Sequence, residues 1–170
     1  MSVLFIDESK EPNYVLAATF IRDADAPRLR KLLQAECRPK QRSIHFKKED
    51  QARRKQLIAV YERHEIQTFT FKSSLKNQRE ARQVCFERLI NHAEILGVTR
   101  LVIEKDDSIF RADEKMIARL IKEQNALGKI GFEHFYRHEE PLLWVPDSIA
   151  WCENKAGFWS SLIEKQVIRP

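Results

Sequence analysis

The stretch that most constrains the fold is Val3-Leu4-Phe5-Ile6-Asp7-Glu8, an uninterrupted apolar run that ends abruptly in two carboxylates. A run without polar alternation predicts a strand covered on both faces, in the interior of a sheet. Such a strand delivers its terminal acids to a sheet edge of the kind at which ligands bind. Side chains alternate along a strand, so at least one of two adjacent acids faces away from the other.

The rest of the chain can be read outward from that strand. Ser9 to Asn13 has turn composition and Tyr14 to Phe20 resumes as an apolar segment, which predicts a hairpin. Asp23 and Asp25 ahead of Pro27 predict a capped helix with Leu29, Leu32 and Leu33 on one stripe. A basic connector, Arg38 to Lys48, holds Ile44-His45-Phe46, and Glu49-Asp50 opens a second helix with Leu57, Ile58 and Tyr61 inward. Ile66 to Phe71 alternates as a strand ending at Lys72, and a long helix follows from Gln78 to Leu96.

Val98 to Ile103 is a second apolar strand, and it too runs into acids: Glu104, Asp106 and Asp107. Asp113 is expected to cap a helix reaching Leu127-Gly128, Ile130 to Tyr136 to form a last strand, and Asp147 to begin a final helix carrying Trp151, Phe158 and Leu162. The order β-β-α-α-β-α-β-α-β-α describes an α/β chain with a mixed sheet, an antiparallel hairpin followed by helix-connected strands. With 170 residues, no internal repeat and no linker, it is expected to form a single domain.

Composition excludes several function classes. The longest apolar runs are strand-sized, too short to cross a bilayer, and no signal-peptide pattern opens the chain, so a cytoplasmic location without membrane contact is expected. Cys37, Cys85 and Cys152 are odd in number and widely spaced, matching neither a CxxC metal pair nor a disulfide framework. The net charge of +5 is unevenly distributed: residues 22–64 hold 13 Lys or Arg against 6 Asp or Glu. That suits a polyanionic partner, DNA or RNA, with Lys47, Lys48, Arg53 and Arg54 as phosphate contacts, although a solvated helix surface is the commoner account of any one of them. Oligomeric state has no signature.

Three acids stand at element ends: Asp7, Glu104 and Asp147. If the two acid-ended strands are parallel neighbours, their carboxylates coincide, and a helix start packed there supplies a third. Oxygen ligands without thiolate or obligatory His suit Mg²⁺ or Mn²⁺, and an open carboxylate pocket is the arrangement used for two-metal phosphodiester hydrolysis. Each acid also has a plainer reading. Asp147 is an ordinary N-cap, Glu104 a solvated strand exit, and Asp7 the hardest to explain, because an unpaired buried acid costs several kcal/mol.

Phe5-Ile6-Asp7-Glu8-Ser9, Ile44-His45-Phe46, Val102-Ile103-Glu104 and Pro146-Asp147-Ser148-Ile149-Ala150 together resemble a bacterial family of domains of unknown function. Its hallmarks are Asp-Glu-Ser-Gly at the end of the first strand and Ala-Asp-x-x-Ala in a helix near the C-terminus. The resemblance implies a single-domain RNase H-like fold over residues 1–170 and a nuclease that hydrolyses DNA or RNA by metal-activated water. It implies that Asp7 bridges two metal ions, that Glu104 and Asp147 complete the site, and that Glu8 binds metal or orients a ligand. It also implies that His45 assists proton transfer or product release and that Lys72 holds a phosphate. Lys10, Ser43, Glu104 and Pro146 depart from the family pattern. Those departures motivate an alternative, a degraded RNase H-like module that binds nucleic acid or protein without turnover.

Overall fold

The computed structural model describes all residues, Met1 to Pro170, and its architecture follows from which face of the first strand each side chain takes. Strand β1 (Ser2–Ser9) lies inside a six-stranded sheet, antiparallel to β2 (Tyr14–Arg22) on one side and parallel to β4 (Arg100–Glu104) on the other. Strand β3 (Gln67–Ser73) pairs antiparallel with β2, and β5 (Gly131–Phe135) and β6 (Val167–Ile168) close the two edges, giving the order β5-β4-β1-β2-β3-β6.

Alternation divides the apolar residues of β1 between two cores. Val3 and Phe5 pack with Val15, Ala17 and Val102 beneath helices α1 (Ala26–Ala35), α2 (Gln51–Arg63) and α5 (Trp144–Lys155). Leu4 and Ile6 pack with Leu16, Leu101 and Ile103 beneath α3 (Gln78–Ile95) and α4 (Phe110–Glu123). The sheet is thus covered on both faces, the condition for a run without polar residues. A short helix α6 (Gly157–Leu162) follows α5. No helix is long and apolar enough to cross a membrane.

Several boundaries differ from the sequence reading, and α4 ends at Glu123 rather than at Leu127-Gly128. The last helix begins at Trp144, not Asp147, because Pro146 falls in its first turn, where a missing N–H costs nothing. The stripe Trp151, Phe158, Leu162 is not one helix: Ala156 at φ 58° and Gly157 at φ 55° break it. Asp113 does not cap α4, which starts at Phe110; it lies in the first turn with its carboxylate turned inward. The terminal strand β6 has only two paired residues and left no pattern to read.

Helix α5 is fastened to the hairpin by one side chain. Asn154 donates to Ser9 Oγ at 2.9 Å and to the Asn13 carbonyl at 2.6 Å, and accepts from the Asn13 N–H at 3.1 Å. These bonds hold the turn after β1 against the helix that carries Asp147. Asn154→Ala leaves the Asn13 backbone groups partly buried and unmatched, and is expected to cost about 1–3 kcal/mol. The check is a lower urea midpoint at unchanged slope.

Candidate active site

The register of β1 on β4 sets Phe5 against Val102 and Ile6 against Ile103, so the next step places Asp7 beside Glu104. Asp7 continues the Val3–Phe5 parity and faces α5. Glu104 continues the parity of Val102 and faces the same way. Asp147, one turn into α5, faces them from above. Its Oδ2 accepts from the Phe46 N–H at 2.9 Å, which ties the basic connector to the helix.

All three carboxylates converge on Arg137, from the bend after β5. Its Nη2 lies 2.9 Å from Glu104 Oε1, 3.5 Å from Asp7 Oδ2 and 3.7 Å from Asp147 Oδ1. Trp144 Nε1 donates to the Arg137 carbonyl at 2.8 Å and fixes the bend over the start of α5. Nothing marked Arg137 in the sequence, since an Arg in a polar bend is ordinarily solvated and its partners lie 10, 33 and 130 residues away.

One guanidinium does not neutralise three buried acids. Burial first, then the charge of Glu104, holds the Asp7 carboxyl well above the ordinary range. Burial, opposed by a hydrogen bond with Asp7, pushes Glu104 up to about 7. Asp147 is also raised by burial, against the Arg137 charge and the Phe46 N–H. The site is a pocket of uncompensated negative charge.

It opens on a cleft of about 820 Å³, lined also by His45, Lys47, Lys105, Trp151 and Lys155. His45 Nδ1 is 3.6 Å from Asp147 Oδ2, beyond hydrogen-bond distance, and has no other partner. Lys47 reaches the cleft, while Lys48 is exposed outside its lining. Arg53 is buried, with Nη1 at 3.2 Å from Glu36, and has no free face for a phosphate. Arg54 donates to the Phe46 and Lys47 carbonyls at 2.9 and 2.7 Å and lies 4.4 Å from the Trp151 ring centroid, so it braces the connector. Lys72, exposed at the end of β3, lies outside the cleft lining.

Glu8, of opposite parity, faces α3 and α4. Its Oε2 accepts from Arg82 at 2.6 Å, and Arg82 also makes two bonds to Asp113, at 2.6 and 2.8 Å, and donates to Tyr14 Oη at 2.8 Å. His134 Nε2 stands 2.9 Å from Asp113 Oδ2, so this histidine is buried in an ionic network. Arg82 reads in the sequence only as a helix residue and His134 only as a strand residue, because the neighbours of each suggest nothing more.

In donor chemistry Asp7, Glu104 and Asp147 fit a hard divalent cation: all are oxygen acids without a sulfur ligand, Asp7 and Asp147 buried and Glu104 half-buried. In their present arrangement they close around Arg137, and no group of three or more acid, His or Cys side chains is set to hold a metal ion.

No protein-family model matches the chain, and no curated protein matches it. Among solved structures it is similar to a chain of the PCNA:RNase HII complex from Archaeoglobus fulgidus. The identity is 19%, the alignment covers 91% of this chain and 73% of that one, and the TM-score is 0.63. The fold is RNase H-like.

The Glu8–Arg82–Asp113 network gives a pH test independent of the Asp7 cluster. Burial alone would raise the Asp113 carboxyl, but its bonds to Arg82 and His134 outweigh that and hold it below the usual 3.8. A depressed carboxyl contributes stability that is present above the unfolded value and lost as pH falls through the folded one. Asp113→Asn should therefore destabilise by about 3–5 kcal/mol at pH 7, as for one partner removed from a buried ion pair. The deficit should shrink as urea titrations are repeated toward pH 3.

Proposed function

We propose that the protein is a divalent-metal-dependent nuclease of the RNase H-like kind, hydrolysing phosphodiester bonds of DNA or RNA, and that it belongs to the bacterial family its motifs resemble. The observation that carries this reading is the meeting of Asp7, Glu104 and Asp147 within 3.7 Å of one guanidinium nitrogen, at the carboxyl edge of β1 and β4. Buried acids drawn from three separate elements have no structural use that fewer acids would not serve better, because each adds repulsion.

Asp7, Glu104 and Asp147 would hold Mg²⁺ or Mn²⁺. When bound, such an ion supplies positive charge to a phosphate and acidifies its water. The chain's own groups do the rest. Lys47 and Lys155 flank the cleft with exposed ammonium groups placed for a nucleic-acid backbone. Trp151, half-buried in the wall, offers an aromatic face. His45, with its buried Nδ1 unpartnered beside Asp147 and its ring in the cleft lining, would accept or return a proton there. Arg137 must leave the acids for a cation to enter. Its side chain then has phosphate oxygens as its next available partners.

The same Arg137 favours a second reading. A guanidinium already seated among the acids suits a module that binds nucleic acid without cleaving it, and the departures at Lys10, Ser43 and Pro146 agree. Cleavage of labelled single- and double-stranded DNA and RNA separates the two. Under the nuclease reading, Mg²⁺ or Mn²⁺ gives cut products, EDTA removes them, and Asp7→Asn lowers the rate at least a hundredfold with circular dichroism unchanged. Products that survive both Asp7→Asn and EDTA would sink it. Salt-sensitive binding without products at any metal concentration would establish the module.

A further inference from the structure

A second cavity, of about 480 Å³, lies on the opposite face of β1, between α3 and α4. That volume is within the range of about 300–1,000 Å³ usual for small-molecule sites. Its floor is the closed network described above: Arg82, Asp113 and Glu8 are buried or nearly so and satisfied by one another, with Tyr14 Oη against Arg82. Ile109, Ala112 and Met116 of the α4 side give it an apolar wall. Its lining is basic: five of the fourteen residues are Lys or Arg against two acids. Both acids are already paired to Arg82. At the rim, Arg79 and Lys115 are exposed and form no ion pair, unlike Arg119, which reaches Glu123 at 3.1 Å.

An apolar wall large enough for a ring, under two unpaired cations, is complementary to a nucleoside phosphate: the base against Ile109 and Met116, the phosphate at Arg79 and Lys115. The cavity shares Glu8, Lys10 and Gln78 with the acid cleft, so the two sites adjoin around the end of β1. We propose that this cavity binds one nucleotide of the nucleic-acid strand whose neighbouring phosphate lies at Asp7, Glu104 and Asp147. The assignment rests on the nuclease reading for its second half alone; nucleotide binding stands by itself.

Arg82 holds Glu8 at the border of the two sites.

The test uses the full chain and the four nucleoside 5′-monophosphates, titrated by heteronuclear NMR without added metal. Shifts are expected around Ile109, Met116 and Arg79. The charge-reversed pair Arg79→Glu with Lys115→Glu, both on exposed helix surface, should weaken binding at least tenfold. Met116→Trp, which fills the cavity, should do the same. Inorganic phosphate should bind at least tenfold more weakly. A short oligonucleotide should displace the mononucleotide. Equal binding by the charge-reversed protein, equal binding of inorganic phosphate, or no nucleotide binding overturns the site. Simultaneous binding of mononucleotide and oligonucleotide overturns its place on the strand. Cleavage retained without nucleotide binding rejects the cavity alone, and nucleotide binding without metal-dependent cleavage rejects the nuclease alone.

Discussion

The arrangement depends on how β1 distributes charge: two adjacent acids, on opposite faces of one central strand, meet opposite electrostatic fates. Glu8 joins Asp113 around Arg82, and Tyr14 and His134 complete the hydrogen bonds. Asp7 joins Glu104 and Asp147 around Arg137. The first network sets two acids against one guanidinium with a histidine alongside; the second sets three acids against one. The consequence is visible in the carboxyls themselves. Asp113 is held below its ordinary range and Asp7 well above, although both are buried aspartates. Burial acts in the same direction on each, so the sign is decided by the ratio of cations to acids. One face of the strand is electrostatically closed and stabilises; the other is left with a demand for positive charge.

That contrast explains why the fold was legible to the depth it was. The run from Val3 to Ile6 dictates a central strand, and the second apolar run ending in Glu104 dictates a neighbour of the same design. Period-two alternation then places Asp7 and Glu104 on one face once the strands are parallel, as they are. Arg137 and Arg82 were illegible for the same physical reason: an ion pair between elements depends on through-space distance, and nothing local encodes a partner 130 residues away. Asp113 was misread as a cap because an Asp near a helix start is usually one, and only its inward rotation on α4 reveals the other role. The break between α5 and α6 required a backbone conformation, φ 58° at Ala156, that alanine rarely adopts and that no residue preference announces.

The basic segment was legible as charge and not as surface. Of the arginines between residues 22 and 64, Arg22 pairs with Asp25, Arg30 with Glu140, Arg38 with Asp50 and Arg53 with Glu36, while Arg54 bonds backbone carbonyls. These guanidiniums hold the α1–α2 side together. The cations that line the cleft are lysines from three parts of the chain, Lys47, Lys105 and Lys155, with Lys10 at its border with the second cavity. Of the cations singled out along the sequence, Lys47 lines the cleft, while Arg53 and Arg54 are turned into the scaffold.

The division between arginine and lysine has a physical logic. A guanidinium is planar, presents donors in a fixed fork and is weakly hydrated, so it suits a partner that never moves, such as a carbonyl or a buried carboxylate. An ammonium on a flexible stem keeps its water and accepts many geometries, which suits an open cleft wall with no fixed partner. Arg137 is the exception: a guanidinium at the centre of the acids rather than in the scaffold around them. The bend that carries it is fixed through the main chain, by the Trp144 bond to the Arg137 carbonyl, independently of the bonds its tip makes to Glu104. The guanidinium can therefore leave the acids without unfolding the bend that carries it. The bend is thus held by the main chain, and the tip by carboxylates alone.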